Sequence, residues 1–180
     1  MREENNSYIY RRMEPHEYRL LEGFMYEAIF IPAGMERLPR EIIKEPSIAR
    51  YINGFGDNSR GDFCHVCESD AGIVGAAWSR ILDADGEEGY GNIGEGIPEL
   101  AISVLPEYRD QGIGAELIKR LHKTLAAAGY EKISLSVQKG NDAVHLYQRI
   151  GYRLFEEKGD DFIMVCELKN YDSSQDIASA

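Results

Sequence analysis

The 180-residue chain is predicted to form one α+β (mixed α/β) domain, in which a mixed sheet is flanked by helices. Two observations predict this fold class. Strand-like segments at residues 62–68 and 73–82 are joined at Asp70-Ala-Gly72 in the manner of an antiparallel hairpin. In the second half of the chain, strand-like and helix-like segments alternate, as they do where helices cover a sheet. The predicted domain covers residues 1–170, and residues 171–180 are predicted to be a disordered tail.

The N-terminal half is divided by prolines and by the loop that precedes the hairpin. Apolar residues recur at helical spacing after Pro15, and proline is favoured at the first position of a helix. The predicted elements are a strand at 8–11, a helix at 15–31, a short helical piece between Pro39 and Pro46, another at 47–53, and the two hairpin strands.

The C-terminal half shows the clearest periodicity. Ile113, Leu117, Leu121 and Leu125 recur at helical spacing, and Gly129 is placed to end that helix. The predicted elements are a long loop at 83–98, a strand at 99–104, a helix at 112–128, a strand at 131–137, a helix at 141–150, and strands at 152–156 and 160–168.

The loop between the strand at 99–104 and the helix at 112–128 has a sequence that favours anion binding. The first amides of a helix have no partner within it, and the helix dipole adds partial positive charge there. Gly112 and Gly114 allow a phosphate oxygen close to the backbone, while Arg109 supplies a full positive charge. The candidate pyrophosphate-binding residues are Arg109, Asp110, Gln111, Gly112, Ile113, Gly114 and Ala115.

Two blocks of the sequence resemble the GNAT superfamily of acyl-CoA-dependent N-acyltransferases. The first is Arg109-x-x-Gly112-x-Gly114, which follows Val104-Leu-Pro-Glu-Tyr. The blocks stand in the family's order and spacing, and the resemblance covers residues 72–168, with residues 8–55 matching in layout. The second block reads Asn141-x-Ala143-x-x-x-Tyr147-x-x-x-Gly151-Tyr152.

The resemblance implies a GNAT-like fold, whose mostly antiparallel central sheet has splayed fourth and fifth strands. Those strands correspond to the segments at 99–104 and 131–137. Acetyl-CoA is the implied acyl-donor co-substrate, and its pantetheine arm would lie between them and pair with the backbone of Ile102 and Val104. Asn141, which is also a good helix N-cap, is expected to contact the arm, and no metal is implied.

Tyr147 and Glu99 are the catalytic candidates. Tyr147 occupies the position of the family's usual general acid, and a phenol with a pKa of about 10 stays protonated at neutral pH. The alternative is that Tyr147 packs as a core ring. Glu99 is similar in position to the glutamate proposed as base in phosphinothricin-type members, and it could accept the amine's proton directly or through water. The alternative for Glu99 is a solvated carboxylate, since a shift of one residue reverses the strand face.

Charge and apolar content exclude several kinds of partner. A net charge of −11 opposes binding to nucleic acid or to anionic membrane surfaces. No apolar run is long enough to span a bilayer, so a cytoplasmic protein is expected. Cys64-His-Val-Cys67 has the spacing of a zinc or redox pair, but it lies in an alternating strand-like segment without a second pair, which favours a structural role.

The loop at 83–98 contains two further patterns. Gly89-x-Gly91-x-x-Gly94 has dinucleotide-binding spacing, yet no strand precedes it and no helix follows it, so a Rossmann site is not expected. The loop also carries acidic side chains that either attract a cationic amine or keep an exposed loop solvated. They are Asp83, Asp85, Glu87, Glu88 and Glu95, with Glu99 next to them.

These features predict an N-acetyltransferase that moves an acetyl group from acetyl-CoA to a primary amine by direct attack in a ternary complex. One alternative is a non-catalytic acyl-CoA-binding sensor or interaction module. Another is a nucleotide-phosphate binder that uses the same loop. The acceptor is expected to be a small-molecule or peptide amine, and a homodimer is compatible with the sequence.

Overall fold

The computed structural model describes residues 7–57, 61–83 and 88–171, which form one seven-stranded sheet with helices on both faces. The strands are β1 (Ile9–Arg12), β2 (Phe63–Ser69), β3 (Gly72–Arg80), β4 (Glu99–Val104), β5 (Lys132–Gln138), β6 (Arg153–Lys158) and β7 (Asp161–Glu167). The α-helices are α1 (Leu21–Ala28), α2 (Pro46–Ala49), α3 (Ile113–Ala127) and α4 (Ala143–Ile150). None of the helices in this described part combines the length and the apolar character that crossing a membrane requires.

The sheet confirms the predicted fold class. Its order is β1-β2-β3-β4-β5-β7-β6, and every described pairing is antiparallel except that of β4 with β5. These two strands run parallel and share a single register pair, Glu99 with Ser134, beside which the Ser134 amide donates to the Pro98 carbonyl at 3.0 Å. Beyond this pair β4 and β5 diverge. The gap between them is the splay that the family resemblance implied.

α3 covers one face of the sheet because its apolar positions recur at helical spacing. Ile113, Leu117, Leu121 and Leu125 are at most 1% exposed and share one core cluster with Ile133 of β5. Burial of each such side chain contributes about 1.5–3 kcal/mol relative to leaving it in water. The helical spacing seen in the sequence therefore marks the side chains of α3 that bury this face of the sheet.

α1 covers the opposite face. Leu100 of β4 belongs to the α3 cluster, whereas the hydroxyl of Ser103 donates to the carbonyl of Phe24 in α1 at 2.7 Å. Trp78 is fully buried and shares the α1 cluster with Phe24. Because strand side chains alternate between faces, Glu99 lies on the α1 face together with Ser103.

Helix α1 is shorter than the predicted helix at 15–31. The segment begins as a 3₁₀ turn at Pro15–Leu20, becomes α-helical at Leu21 and ends at Ala28. Ile29 is already extended, at the start of a run that contains β-branched residues and leads to Pro32. Such residues, and the position before a proline, disfavour helical backbone.

Helix α2 ends at Ala49, short of the predicted limit at residue 53, and Arg80 offers the reason. This guanidinium is 9% exposed and pairs with Asp62 at 2.9 and 3.2 Å. It also donates to the carbonyls of Arg50 at 3.0 Å and Gly54 at 3.3 Å. Because these carbonyls accept hydrogen bonds from Arg80, they do not need amide partners within a helix. The chain therefore turns here and remains hydrogen-bonded to the sheet.

The pair Cys64 and Cys67 is structural, as predicted. Both thiols are buried and free. The Sγ of Cys64 is 3.5 Å from the Sδ of Met13 in the α1 cluster, whereas Cys67 lies in the α3 cluster. Residues three apart on a strand point to opposite faces, so these two sulfurs cannot share a metal ion.

Two histidines are buried as neutral rings on the α3 side. The His122 ring is fully buried, and its Nε2 lies 2.9 Å from the Tyr152 hydroxyl. The His65 Nε2 lies 2.8 Å from Thr124 Oγ1. Burial lowers the pKa of His122 to about 3 and that of His65 to about 4. Both rings therefore stay uncharged in the folded protein at neutral pH.

Acidification is expected to destabilise the fold below a pH of about 6.5. Unfolded histidine takes up a proton near that pH, while the buried rings do not, so stability present at neutral pH is lost as the pH falls. Below a pH of about 6.5, each buried ring lowers the free energy of unfolding by about 1.4 kcal/mol for each pH unit. The free energy of unfolding, measured at several pH values, should depend on pH less steeply in His122→Gln, by about one proton. His145→Gln, at an exposed position, should keep the parent slope, and an unchanged slope in His122→Gln would contradict this account.

Candidate active site

A cavity of about 990 Å³ lies where β4 and β5 diverge. Its walls are β4, the loop leading to α3, residues of α3 and α4, and the end of α1 with the extended residues after it. Of the predicted site residues, Gln111 and Glu99 lie outside the cavity wall. The predicted residues that line it are Ile102, Val104, Arg109, Asp110, Gly112, Ile113, Gly114, Ala115, Asn141 and Tyr147.

The backbone before α3 has a geometry suited to anions. Asp110 (φ 60°) is the only non-glycine residue with positive φ in the described chain, and Gly112 (φ 80°) is the N-cap of α3. Left-handed residues in such loops line up successive amides around a concavity. The amide of Glu116 bonds the Gly112 carbonyl at 3.2 Å, so the amides of residues 113–115 have no carbonyl partner within the helix. These amides are available to a bound anion.

Arg109 is oriented at the cavity wall by two contacts. Its Nε donates to the Val104 carbonyl at 2.9 Å, and a terminal nitrogen lies 3.7 Å from the Glu27 carboxylate. The other oxygen of that carboxylate accepts from Arg37 at 2.9 Å. Because 49% of the Arg109 side chain is exposed, its guanidinium is accessible to a phosphate.

Gln111 fastens the loop to a distant part of the chain. Its Oε1 accepts from the Tyr8 hydroxyl at 2.6 Å, and its Nε2 donates to the Glu107 carbonyl at 3.3 Å. The side chain thus ties the loop before α3 to the residue preceding β1. A role for the Gln111 amide in anion binding stays a prediction.

The edge of β4 that faces the gap carries the backbone groups of Ile102 and Val104. The Pro98 carbonyl bonds β5, whereas the Leu105 amide bonds the Val74 carbonyl on the β3 side at 2.9 Å. Backbone groups alternate in direction along a strand, so even-numbered residues of β4 present theirs to the gap. The Val104 carbonyl is occupied by Arg109, which leaves its amide and both backbone groups of Ile102.

Asn141 lies one residue before Asp142, which is the N-cap of α4, so the predicted N-cap and the predicted helix start at residue 141 were wrong. The Oδ1 of Asn141 accepts from the Ala143 amide at 2.9 Å, and its carbonyl accepts from the Val144 amide at 3.1 Å. The side-chain nitrogen has no hydrogen-bond partner among the described residues, and the residue lines the cavity. Asn141 therefore keeps a side-chain donor for a ligand.

Tyr147 is both a core residue and a cavity residue. It is 9% exposed and belongs to the α3 cluster, where its ring meets that of Tyr152 edge-on with centroids 5.7 Å apart. It also lines the cavity. Burial raises its pKa to about 12, which keeps the phenol protonated at neutral pH. The two roles considered for Tyr147 are thus compatible.

Glu99 is buried under the loop that precedes β4. It is 2% exposed, and its Oε2 accepts from the Tyr51 hydroxyl at 2.8 Å and from the Gly91 amide at 2.9 Å. Its Oε1 has no hydrogen-bond partner among the described residues. Burial raises the pKa of this carboxyl, although the bond from Tyr51 opposes the shift. The structure therefore places Glu99 beside the gap and not on the cavity wall.

The glycines of the Gly89-x-Gly91-x-x-Gly94 run have a packing explanation. A Cβ on Gly89 would overlap the Glu99 carboxylate, and a Cβ on Gly91 would lie 2.7 Å from the Leu135 carbonyl carbon. Gly91 therefore allows the loop to cross β5 closely, and Gly89 allows it to cover Glu99. No strand directly precedes the run and no helix directly follows it within the described residues.

Tyr51 is a site-associated residue that the sequence did not reveal. Its hydroxyl accepts from the Tyr90 amide at 2.8 Å while it donates to Glu99, and its carbonyl accepts from Trp78 Nε1 at 3.0 Å. Tyr51 belongs to no motif. It lies within reach of Glu99 because Arg80 holds the turn through its hydrogen bond to the Arg50 carbonyl. No local sequence signal could have identified it.

The cavity is locally positive in an acidic protein. Its walls carry three acidic and four basic side chains, whereas the whole chain has a net charge of −11. Such a local excess favours an anionic ligand. The acidic residues are Glu27, Asp110 and Asp142, and the basic residues are Arg37, Arg109, Lys119 and Arg149. Within the described ranges, no three His, Cys, Asp or Glu side chains converge as metal ligands would.

The acidic loop is described only in part. Asp85 and Glu87 lie outside the described residues. Asp83 accepts from the Gly96 amide at 2.6 Å, so this carboxylate holds the loop together. Whether the loop attracts a cationic acceptor stays a prediction.

Comparison with known families agrees with this architecture. A family model described as an acetyltransferase (GNAT) domain matches residues 60–154. An acetyltransferase of Sodalis glossinidius (strain morsitans) is 44% identical over 54 residues, which are 29% of this chain. The match spans 38% of the length of that relative.

Solved structures share the fold. The PaiA N-acetyltransferase of Thermoplasma acidophilum, determined in complex with coenzyme A, has a TM-score of 0.64 at 18% identity, covering 89% of this chain and 99% of its own. YncA of Salmonella typhimurium, a putative acetyltransferase determined with its cofactor acetyl-CoA, also has a TM-score of 0.64, at 16% identity. That match covers 90% of this chain and 94% of YncA.

Gly112→Ala should weaken acetyl-CoA binding by about tenfold, as loss of one charge-assisted hydrogen bond would. A Cβ on Gly112 meets no described atom within 4 Å, so it would intrude on the ligand's space and not on the protein. Calorimetric titration with acetyl-CoA measures the change.

Gly129→Ala is the matched control for this variant. Gly129 also has a positive φ (89°), a Cβ there would meet no described atom within 4 Å, and the residue lies outside the cavity wall. Both variants carry a left-handed strain of roughly 1–2 kcal/mol. Equal acetyl-CoA affinities in the two folded variants would show that the loop at Gly112 does not hold the coenzyme.

Proposed function

The chain belongs to the GNAT acetyltransferase family, and on this premise we propose that it transfers an acetyl group from acetyl-CoA to a primary amine. One observation supports the proposal most: an anion cradle, an unpaired strand edge and a buried tyrosine line a single cavity. These are the features that a pyrophosphate, an amide-containing arm and a leaving thiolate require. The domain is proposed to cover residues 1–170 and to act in the cytoplasm.

The coenzyme's pyrophosphate is proposed to bind the amides at the start of α3, with Arg109 as counter-charge. Arg109 would exchange its 3.7 Å contact with Glu27 for a direct phosphate contact, since a charge-assisted hydrogen bond of normal length is stronger. The pantetheine amides would then pair with the backbone of Ile102 and Val104, and with the side chain of Asn141.

The proposed chemistry is direct attack in a ternary complex. The neutral amine nitrogen bonds to the thioester carbonyl carbon, the carbon–sulfur bond breaks, and an amide and a thiol result. Tyr147 would give its hydroxyl proton to the leaving sulfur. Its raised pKa keeps that proton available at neutral pH, and general acid catalysis contributes about 10²–10⁴-fold.

Glu99 is proposed to take the proton that the amine loses. Burial raises its pKa and so makes the carboxylate a stronger base. Tyr51 and Gly91 donate to its Oε2, while Oε1 accepts no hydrogen bond from the described residues. Because the carboxyl lies off the cavity wall, the proton would travel through water or reach Glu99 after the covering loop shifts.

The burial of Glu99 also favours the second candidate function. A protein whose proposed base lies off the cavity wall could bind acyl-CoA without using it, as a sensor or an interaction module. The two candidates differ in one measurable property, the release of free coenzyme thiol when an amine is added.

A thiol-release assay across amine classes tests the proposed function. We expect acetyl-CoA-dependent release that requires a primary amine and rises with pH as the amine loses its proton. If the acidic loop attracts the acceptor, cationic amines should react fastest and the specificity constant should fall with added salt, which screens charge beyond about 8–10 Å. Tight acetyl-CoA binding with no release for any amine would instead support the non-catalytic candidate.

Tyr147→Phe should keep acetyl-CoA affinity and lower turnover by about 10²–10⁴-fold, because the ring remains and the proton donor is lost. Single-turnover kinetics measure the chemical step directly. An unchanged rate of the chemical step would show that Tyr147 has only a packing role.

Glu99→Gln tests the proposed role of Glu99 as the base that takes the amine's proton. Its amide oxygen can still accept from Tyr51 and Gly91, so the loop should remain in place. Turnover should fall at neutral pH and recover in part at high pH, where the amine loses its proton without help. The Tyr147→Phe defect should not recover in this way.

A further inference from the structure

Two buried oxygen atoms lie at the end of the gap where β4 and β5 meet, and neither has a hydrogen-bond partner among the described residues. They are Oε1 of Glu99 and Oγ of Ser134. Glu99 is 2% exposed and Ser134 is fully buried. The two residues form the register pair that joins β4 to β5. Because buried polar atoms in native proteins are nearly always hydrogen-bonded, this pair of unpaired oxygens calls for a shared partner.

The side chains of this register pair share one face of the sheet. Ile133 and Leu135 of β5 belong to the α3 cluster, so Ser134 between them lies on the α1 face. Glu99 lies on that face as well. Because neighbouring strands are about 4.7–4.9 Å apart, the hydroxyl and the carboxyl start from adjacent backbone positions and enter the same layer.

The loop before β4 covers both side chains. The Gly91 amide donates to Glu99 Oε2 at 2.9 Å, and a Cβ on Gly91 would lie 2.7 Å from the carbonyl carbon of Leu135, next to Ser134. A Cβ on Gly89 would overlap Glu99 Oε1. One loop therefore separates both unpaired oxygens from solvent.

We propose that Ser134 is a positioning residue for the Glu99 carboxyl, and that Ser134 Oγ and Glu99 Oε1 share one bound water molecule. These two described residues make no direct hydrogen bond, so a small molecule between them would pair both oxygens. A buried water makes about two to four hydrogen bonds, and these two oxygens supply the smaller number. The positioning role rests on the proposed function, whereas the water site does not.

A hydroxyl suits a carboxyl that gains and loses a proton. Oε2 of Glu99 already accepts from Tyr51 and Gly91, so the proton that Glu99 gains is expected on Oε1. Water and the Ser134 hydroxyl can each donate or accept, so they can bond Oε1 in both protonation states. In the proposed reaction the amine gives a proton to the water while the water gives one to Oε1. The water is left unchanged, and the carboxylate becomes a carboxylic acid.

The other groups that set the charge of Glu99 lie on separate elements. Burial raises the pKa of Glu99, whereas the hydrogen bond from Tyr51 and the positive charges of Arg50 and Lys158 lower it. A substitution at Ser134 leaves these three residues in place. A changed pH profile in such a variant would therefore report on the hydroxyl.

A high-resolution crystal structure of the protein tests the water site without any assay of activity. We expect one solvent oxygen within hydrogen-bond distance of both Ser134 Oγ and Glu99 Oε1. A direct bond between the two residues, or a separate partner for each oxygen, would overturn the inference.

Ser134→Thr and Ser134→Val form the matched pair for the positioning role, because the two new side chains have the same shape and differ in the hydroxyl. Single-turnover acetyl transfer at neutral pH should be about tenfold slower in Ser134→Val than in Ser134→Thr, as loss of one hydrogen bond would cause. The difference should shrink at high pH, where the amine loses its proton without help. It should vanish when Glu99→Gln is added, because the hydroxyl then has no base to position.

Ser134→Ala and Ser136→Ala provide a second pair that adds no bulk to the core. Ser136 lies on the same face of β5, two residues further along, and is partly exposed. We expect Ser134→Ala to slow the transfer and Ser136→Ala to keep the parent rate.

Equal rates within both pairs at neutral pH would overturn the positioning role, while the proposed function would survive because transfer still occurs. A parent that releases no thiol with any amine would remove the proposed function together with the positioning role. The crystal structure alone would then retain or reject the water site.

Discussion

The separation of β4 from β5 is the constraint on which the rest of the site depends. The strands are joined at one register pair, Glu99 with Ser134, and diverge beyond it. Divergence leaves backbone groups of β4 without a strand partner, and buried backbone groups are rarely left unpaired, so the edge is suited to an amide-containing ligand. The parallel direction of the two strands matters as well. It brings the starts of α3 and α4 to the same end of the sheet, so that the loop before α3 and Tyr147 of α4 line a single cavity.

Features fixed by neighbouring residues could be predicted, and features fixed by distant contacts could not. The spacing of Leu117 and Leu121 predicted α3, because this pattern acts over a few residues. The anion-binding role of the loop before α3 stays a prediction. The splay itself followed from the family resemblance and not from local periodicity. The contact of Glu27 with Arg37 joins residues ten apart across an irregular turn, and the bond from Tyr51 to Glu99 spans 48 positions. No local pattern encodes such pairs.

Polar side chains of the sheet hold a non-helical turn over the buried carboxyl. Arg80 bonds the carbonyl of Arg50, and Trp78 bonds the carbonyl of Tyr51, whose hydroxyl then reaches Glu99. The side-chain donors of Arg80 and Trp78 thus find acceptors in the turn, and these two carbonyls of the turn find donors in the sheet. The pairing avoids the free-energy cost of unpaired buried polar groups. The arrangement makes the environment of Glu99 a property of the tertiary fold. A substitution of Arg80 would therefore alter the environment of the Glu99 carboxyl, although Arg80 does not contact it.

The hydrogen bond from Tyr8 to Gln111 has a practical consequence. It joins the residue before β1 to the loop that precedes α3, at 2.6 Å. An affinity tag or fusion partner placed immediately ahead of Tyr8 would thus be one side chain away from the loop before α3. The opposite end of the described chain is anchored differently, by the bond of the Tyr171 hydroxyl to the Ile150 carbonyl at 3.1 Å. For immobilised or fused forms of this protein, we therefore expect attachment beyond Tyr171 to disturb this loop less than attachment ahead of Tyr8.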